Sequence, residues 1–185
     1  MTRILGISGS LRAASFNTAL LRTIEALALP GVELEIATLH GIPLYDGDLE
    51  VREGMPAAVL AMKEKLAAAD GVLLATPEYN NGIPGVFKNA IDWASRPSGD
   101  IARVFRGRPV ALMGASAGNF DTLLAQNDWL PVLRTLGVNL WTGGRLLVTR
   151  AGGVFDDRGA ISDSAMRDQL RVFLAGFVTA ITRPE

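Results

Sequence analysis

The sequence predicts an α/β fold: a five-stranded parallel sheet with helices on both faces. Three observations predict it. Short apolar runs alternate with longer amphipathic runs five times along the chain, the pattern of repeated strand–helix units. The third apolar run, residues 71–76, has no polar alternation, as expected of a strand covered on both faces. The chain has 185 residues, 49% apolar and 20% charged, the size and composition of one globular domain.

The elements follow in order. Residues 3–8 (Arg-Ile-Leu-Gly-Ile-Ser) read as a buried first strand. Residues 16–29 read as a helix with Leu20, Ile24 and Leu27 on one stripe, stopped by Pro30-Gly31. Residues 32–38 alternate apolar and polar, which suits an edge or half-buried strand. Residues 40–54 read as a loop. Pro56 then suits the first position of a helix reaching Ala69. Strand 71–76 and a polar loop lead to a helix over 85–95. A fourth strand covers 109–114, and a helix follows over 120–136. A fifth strand lies within 138–149, interrupted at Gly143-Gly144. A turn at 156–159 precedes the last helix, 163–182, with Met166, Leu170, Phe173, Phe177 and Ile181 on one face. Five strands at this length favour the flavodoxin-like order 2-1-3-4-5 in a three-layer sandwich. No repeat or linker divides the chain, so residues 1–185 are read as a single domain.

Composition excludes much chemistry. There is no Cys and one His, His40. Disulfide scaffolds, thiol nucleophiles, Cys-ligated metals and clustered His ligands are therefore out. Net charge is -1, from 18 Lys+Arg against 19 Asp+Glu, without the basic excess of a nucleic-acid binder. The C-terminal apolar stretch is too short to span a bilayer, and the N-terminus lacks the pattern of a signal peptide. The expectation is a cytoplasmic protein with neither nucleic-acid nor membrane partners.

In a doubly wound sheet, ligands bind beyond the carboxyl ends of the strands, near the switch in strand order. Three loops reach that point. The first reads Ser8-Gly9-Ser10-Leu11-Arg12-Ala13-Ala14-Ser15-Phe16-Asn17 and runs from strand to helix. Helix-start amides, hydroxyls at Ser10 and Ser15, the Asn17 amide and the Arg12 guanidinium together make an anion site. Ser15 as a plain helix cap is the simpler alternative. Neither a G-x-x-x-x-G-K-[ST] loop nor a G-x-G-x-x-G fingerprint follows strand 1. The second loop reads Thr76-Pro77-Glu78-Tyr79-Asn80-Asn81-Gly82-Ile83-Pro84-Gly85. Its stiff turn, the Tyr79 face and the Asn80 amide could border a flat polar-edged ring. An ordinary loop with Tyr79 packed on a neighbour is the alternative, and Glu78 could equally orient the loop. The third, Gly114-Ala115-Ser116-Ala117-Gly118, permits close backbone approach to a ligand. Neither Glu78 nor Asp92 reads as a general base, and His40 reads as a surface histidine. No side chain is assigned a catalytic role.

These residues resemble the NADPH-dependent FMN reductase family, whose members include chromate, quinone and azo-dye reductases. The resemblance lies in Gly9-Ser10-Leu11-Arg12 with Ser15 and Asn17. It continues in Thr76-Pro77-Glu78-Tyr79-Asn80 with Gly82, Pro84-Gly85 and Lys88-Asn89-Ala90-Ile91-Asp92-Trp93. It implies a flavodoxin-like fold holding FMN noncovalently. Ser10, Leu11, Arg12, Ser15, Phe16 and Asn17 would surround the phosphate. Pro77, Glu78, Tyr79, Asn80 and Gly82 would border the ring, with Ser116 and Gly118 on its other side. It further implies hydride transfer from NADPH or NADH, through FMN, to quinones or to flavins, azo dyes or chromate. A flavodoxin-type electron carrier is the alternative. Homodimers or homotetramers are implied, with the segment 88–93 near the subunit interface. Two positions depart from the pattern: Asp121 where glycine is expected and Leu124 where arginine is expected. No dedicated clamp distinguishes NADPH from NADH. Arg96, Arg103 and Arg106 are the candidates, each with a solvated surface charge as its simpler reading.

Overall fold

The computed structural model describes residues 1–118, 121–156 and 158–182. The first strand, β1 (Thr2–Ser8), leads to α1 (Phe16–Ala26), β2 (Val32–Ala37), α2 (Gly47–Glu53) and α3 (Ala57–Ala68). Next come β3 (Gly71–Ala75), α4 (Gly85–Ala94), a short α5 (Ile101–Val104) and β4 (Pro109–Ala115). The chain continues through α6 (Leu123–Leu136), β5 (Asn139–Leu140), β6 (Leu146–Val148) and α7 (Ser164–Thr182).

All strand pairings are parallel, in the order β2-β1-β3-β4-β5. This is the predicted flavodoxin-like order with one refinement. The fifth strand is two short pieces, both paired with β4 at different heights. The break falls where Gly143 and Gly144 lie against the Trp141 ring, so close that a Cβ at Gly143 would stand 2.6 Å from its Nε1. The indole itself packs edge-on to Phe173 of α7, with centroids 5.2 Å apart.

Two apolar layers cover the sheet. Val72 and Leu74 of β3 face a cluster with Met62 and Leu66 of α3, Phe87 and Ile91 of α4, and Trp129 of α6. Leu73 and Ala75 face Leu20, Leu21 and Ile24 of α1 and Leu170, Phe173 and Phe177 of α7. Every residue of β3 is buried, which explains its unbroken apolar sequence. Strand β2 alternates in burial at the sheet edge, matching its sequence pattern.

Two short helices lie where the sequence reads as loop. Helix α2 buries no residue, so it carries no apolar stripe. It is held by its N-cap, the Asp46 carboxylate accepting from the amides of Asp48 and Leu49. Helix α5 has only four residues. Helix α1 ends at Ala26, three residues before the predicted stop. The predicted start of α6 at residue 120 lies outside the described residues; the helix is in place from Leu123. Among the described residues, no helix is long and apolar enough to cross a membrane.

Candidate functional site

The carboxyl ends of β1, β3 and β4 converge on a cleft of about 190 Å³. Ser10, Arg12, Ser15, Phe16 and Asn17 form one wall. Pro77, Glu78 and Tyr79 form the second, and Ala115, Ser116 and Ala117 the third. Nine residues singled out from sequence therefore meet in one place. Ala115 and Ala117 were missed; their signal was the run of small residues after β4.

Within the first wall, roles divide. Ser15 is the N-cap of α1, its hydroxyl accepting from the Thr18 amide at 3.3 Å. The Phe16 and Asn17 amides begin the helix and have no intrahelical acceptor. Here the positive end of the helix dipole meets the cleft. The Arg12 guanidinium makes no ion pair among the described residues. The Ser10 hydroxyl accepts from the Arg12 amide at 3.2 Å and stands 3.5 Å from the Tyr79 hydroxyl. Gly9 threads beneath, where a Cβ would collide with the Phe87 ring.

Asn17 does something else. Its side-chain N–H donates to the Ala115 carbonyl at 2.9 Å, and its carbonyl accepts from the Ala115 amide at 3.0 Å. Only 2% exposed, it ties α1 to the end of β4 as a neighbouring strand would. Leu11 is exposed and stands outside the cleft lining. Its carbonyl lies 3.2 Å from His40 Nε2, a partner that sequence did not reveal. Phe16 stacks on Phe155, with centroids 5.6 Å apart.

The second wall is built for rigidity. The Thr76 hydroxyl donates to the Pro77 carbonyl at 2.9 Å and accepts from Trp129 Nε1 at 3.2 Å. Glu78 Oε2 accepts from the amides of Leu124 and Ala125, each at 2.9 Å, so this carboxylate caps α6. Tyr79 and Gly82 exchange two backbone hydrogen bonds of 3.1 Å. Between them, Asn80 and Asn81 have φ of 50° and 62°, as in a mirror-image two-residue turn. That puts exposed Asn80 at the turn tip and Gly82 on its return, both outside the cleft lining. Tyr79 stays 46% exposed.

In the third wall, the Ser116 hydroxyl accepts from the Gly118 amide at 3.1 Å, and Ser116 lines the cleft while Gly118 stands behind it. Asp121 has φ of 52°, a conformation that glycine adopts freely. Its carboxylate compensates by accepting from the Leu123 amide at 2.9 Å. Leu124 is exposed. Together Glu78 and Asp121 put two negative charges at the start of α6, favourable to its dipole.

The nicotinamide-discrimination candidates are mostly spent. Arg96 pairs with Glu50 at 3.2 Å, and that contact holds its guanidinium charged above the usual range. Arg103 pairs with Glu64 and Asp100. In the 88–93 segment, Asn89 and Trp93 both donate to the Pro43 carbonyl, while Lys88 and Asp92 pair at the surface. Among the described residues no cluster could hold a metal ion.

The donor set fits a flat molecule with an anionic tail. An unpaired guanidinium and helix-start amides stand at one end, an exposed phenol ring and small residues at the other.

The model of the NADPH-dependent FMN reductase family matches residues 2–152. An NAD(P)H-dependent FMN reductase of Pseudomonas aeruginosa is 43% identical over 91% of this chain and 89% of its own. A quinone reductase of Escherichia coli K12 is 34% identical over 98% and 96%. The solved structure of a flavoenzyme NAD(P)H:(acceptor) oxidoreductase from Paracoccus denitrificans superposes with a TM-score of 0.86. It is 31% identical and covers 98% of this chain and 97% of its own. By the family match, these identities and the shared fold, the chain belongs to the NADPH-dependent FMN reductase family, an oxidoreductase working with FMN and NAD(P)H.

Proposed function

We propose that this chain is an NAD(P)H-dependent quinone reductase that holds FMN in the cleft between the β1, β3 and β4 loops. The observation that carries the reading is the unpaired Arg12 guanidinium beside the Phe16 and Asn17 amides that open α1, at the switch in strand order. Ser10, Arg12, Ser15 and the Phe16 and Asn17 amides hold the phosphate. Leu11 contributes through its backbone and Asn17 by fixing α1 to β4. Pro77, the Glu78 backbone and Tyr79 border the ring, with Asn80 and Gly82 shaping the turn behind them. Ser116 and Gly118 form the opposite side.

FMN, when bound, accepts the hydride and supplies the redox chemistry. The protein positions, desolvates and orients; it needs no acid or base of its own. Quinones are favoured as acceptors because relatives in Escherichia coli and in Burkholderia are named as quinone and 2-hydroxy-1,4-benzoquinone reductases. Flavins and azo dyes are further candidates. Chromate, an anion, is disfavoured by the carboxylate of Glu78, a residue of the cleft lining. A cytoplasmic homodimer or homotetramer is the proposed form, with Lys88 and Asp92 on the contacting face. Its partners are small molecules, not nucleic acid or membrane.

The test is an anaerobic absorption titration of the FMN-loaded protein. The visible flavin band should bleach with NADPH or NADH and return on adding a quinone, with ping-pong kinetics. FMN binding without bleaching would overturn the enzyme reading in favour of an electron carrier.

A further inference from the structure

We propose that His40 is a positioning residue for the loop after β1. The proposal rests on reading residues 9–17 as the FMN phosphate loop. His40, the chain's single histidine, follows β2, the strand paired directly with β1. Its Nε2 lies 3.2 Å from the Leu11 carbonyl oxygen and its Nδ1 3.2 Å from Thr38 Oγ1.

A carbonyl can only accept, so Nε2 carries the proton that bonds Leu11. Bare Nδ1 then accepts from the Thr38 hydroxyl.

The tether acts on one peptide plane. The Leu11 carbonyl and the Arg12 amide belong to the same planar unit. His40 holds its oxygen, and the Ser10 hydroxyl holds its N–H at 3.2 Å. Residues 11–14 are otherwise exposed. Fixing this plane fixes the backbone from which the Arg12 side chain starts. The charged neighbour on the loop is Arg12 itself. The turn at Gly41 lies near Ala58 of α3, which brings no charge. Among the described residues no carboxylate pairs with His40.

The experiment measures dissociation constants of the FMN-free protein for FMN and for riboflavin at neutral pH, by flavin fluorescence. Wild type should favour FMN. His40→Ala should weaken FMN about five-fold, the worth of one backbone hydrogen bond, and leave riboflavin unchanged. His40→Gln, with an amide that can donate to the Leu11 carbonyl, should restore FMN affinity. If His40→Ala changes neither affinity, or both equally, the proposal is overturned. If wild type binds riboflavin as well as FMN, the phosphate-loop reading itself fails.

Discussion

The loops after β1 and β3 border the same cleft, and they use their polar groups in opposite ways. After β3, Thr76 is engaged by Pro77 and Trp129, Glu78 by two amides of α6, and Tyr79 by Gly82. After β1, the Arg12 guanidinium has no ion pair among the described residues, and the first amides of α1 have no intrahelical acceptor. Asn17 is the exception that sharpens the contrast: it sits in the β1 loop's motif but is committed to Ala115. A polar residue beside a site belongs to its chemistry only if its donors and acceptors remain unspent. The β3 loop is a wall; the β1 loop is a receptor.

Breaking the exception should have the largest effect. Asn17→Leu leaves the Ala115 amide and carbonyl buried without partners, costing about 3 kcal/mol and lowering Tm by roughly 6–12 °C. Thermal melts followed by circular dichroism would read it. Next comes the wall. Glu78→Ala removes the α6 cap and should cost about 1–2 kcal/mol. FMN affinity of the folded protein should stay within about two-fold, which a flavin titration below Tm would check. In the receptor, the effects invert. Arg12→Gln should leave Tm unchanged but weaken FMN about ten-fold, the loss of one charged phosphate contact. Riboflavin affinity should be unaffected.

The smallest effect lies outside both loops. Asp100 is held below the usual carboxylate range, chiefly by its hydrogen bond from Lys63. A carboxyl depressed in the folded state adds stability above its unfolded value near pH 4. It loses that contribution as pH falls through the folded value. Asp100→Asn should therefore flatten the acid limb of the stability–pH curve without touching FMN affinity at neutral pH.

The layer architecture was legible because each layer follows from local pattern. Strand β3 is apolar throughout since both faces are covered, and β2 alternates since it lies at the edge. Helix α2 was hidden because it buries nothing, although Asp46 before Leu49 was a usable capping signal. The position of the cleft was legible from strand order alone. The division of labour inside it was not, because it depends on partners far apart in sequence. Glu78 meets Leu124 across 46 positions, Asn17 meets Ala115 across 98, and His40 meets Leu11 across 29. No periodicity encodes such contacts. Asp121 stands where the family pattern has glycine. Its left-handed backbone explains why glycine would suit the position and why Asp, able to bond the Leu123 amide, is tolerated.

The most direct test of the central claim compares FMN with riboflavin in binding to the FMN-free wild-type protein at neutral pH. The two ligands differ only by the phosphate. One guanidinium and the helix-start amides should make FMN the tighter ligand by about 3 kcal/mol or more, roughly 100-fold or beyond. Equal affinities would mean that the loop after β1 receives no anion, and would contradict the assignment of receptor and wall.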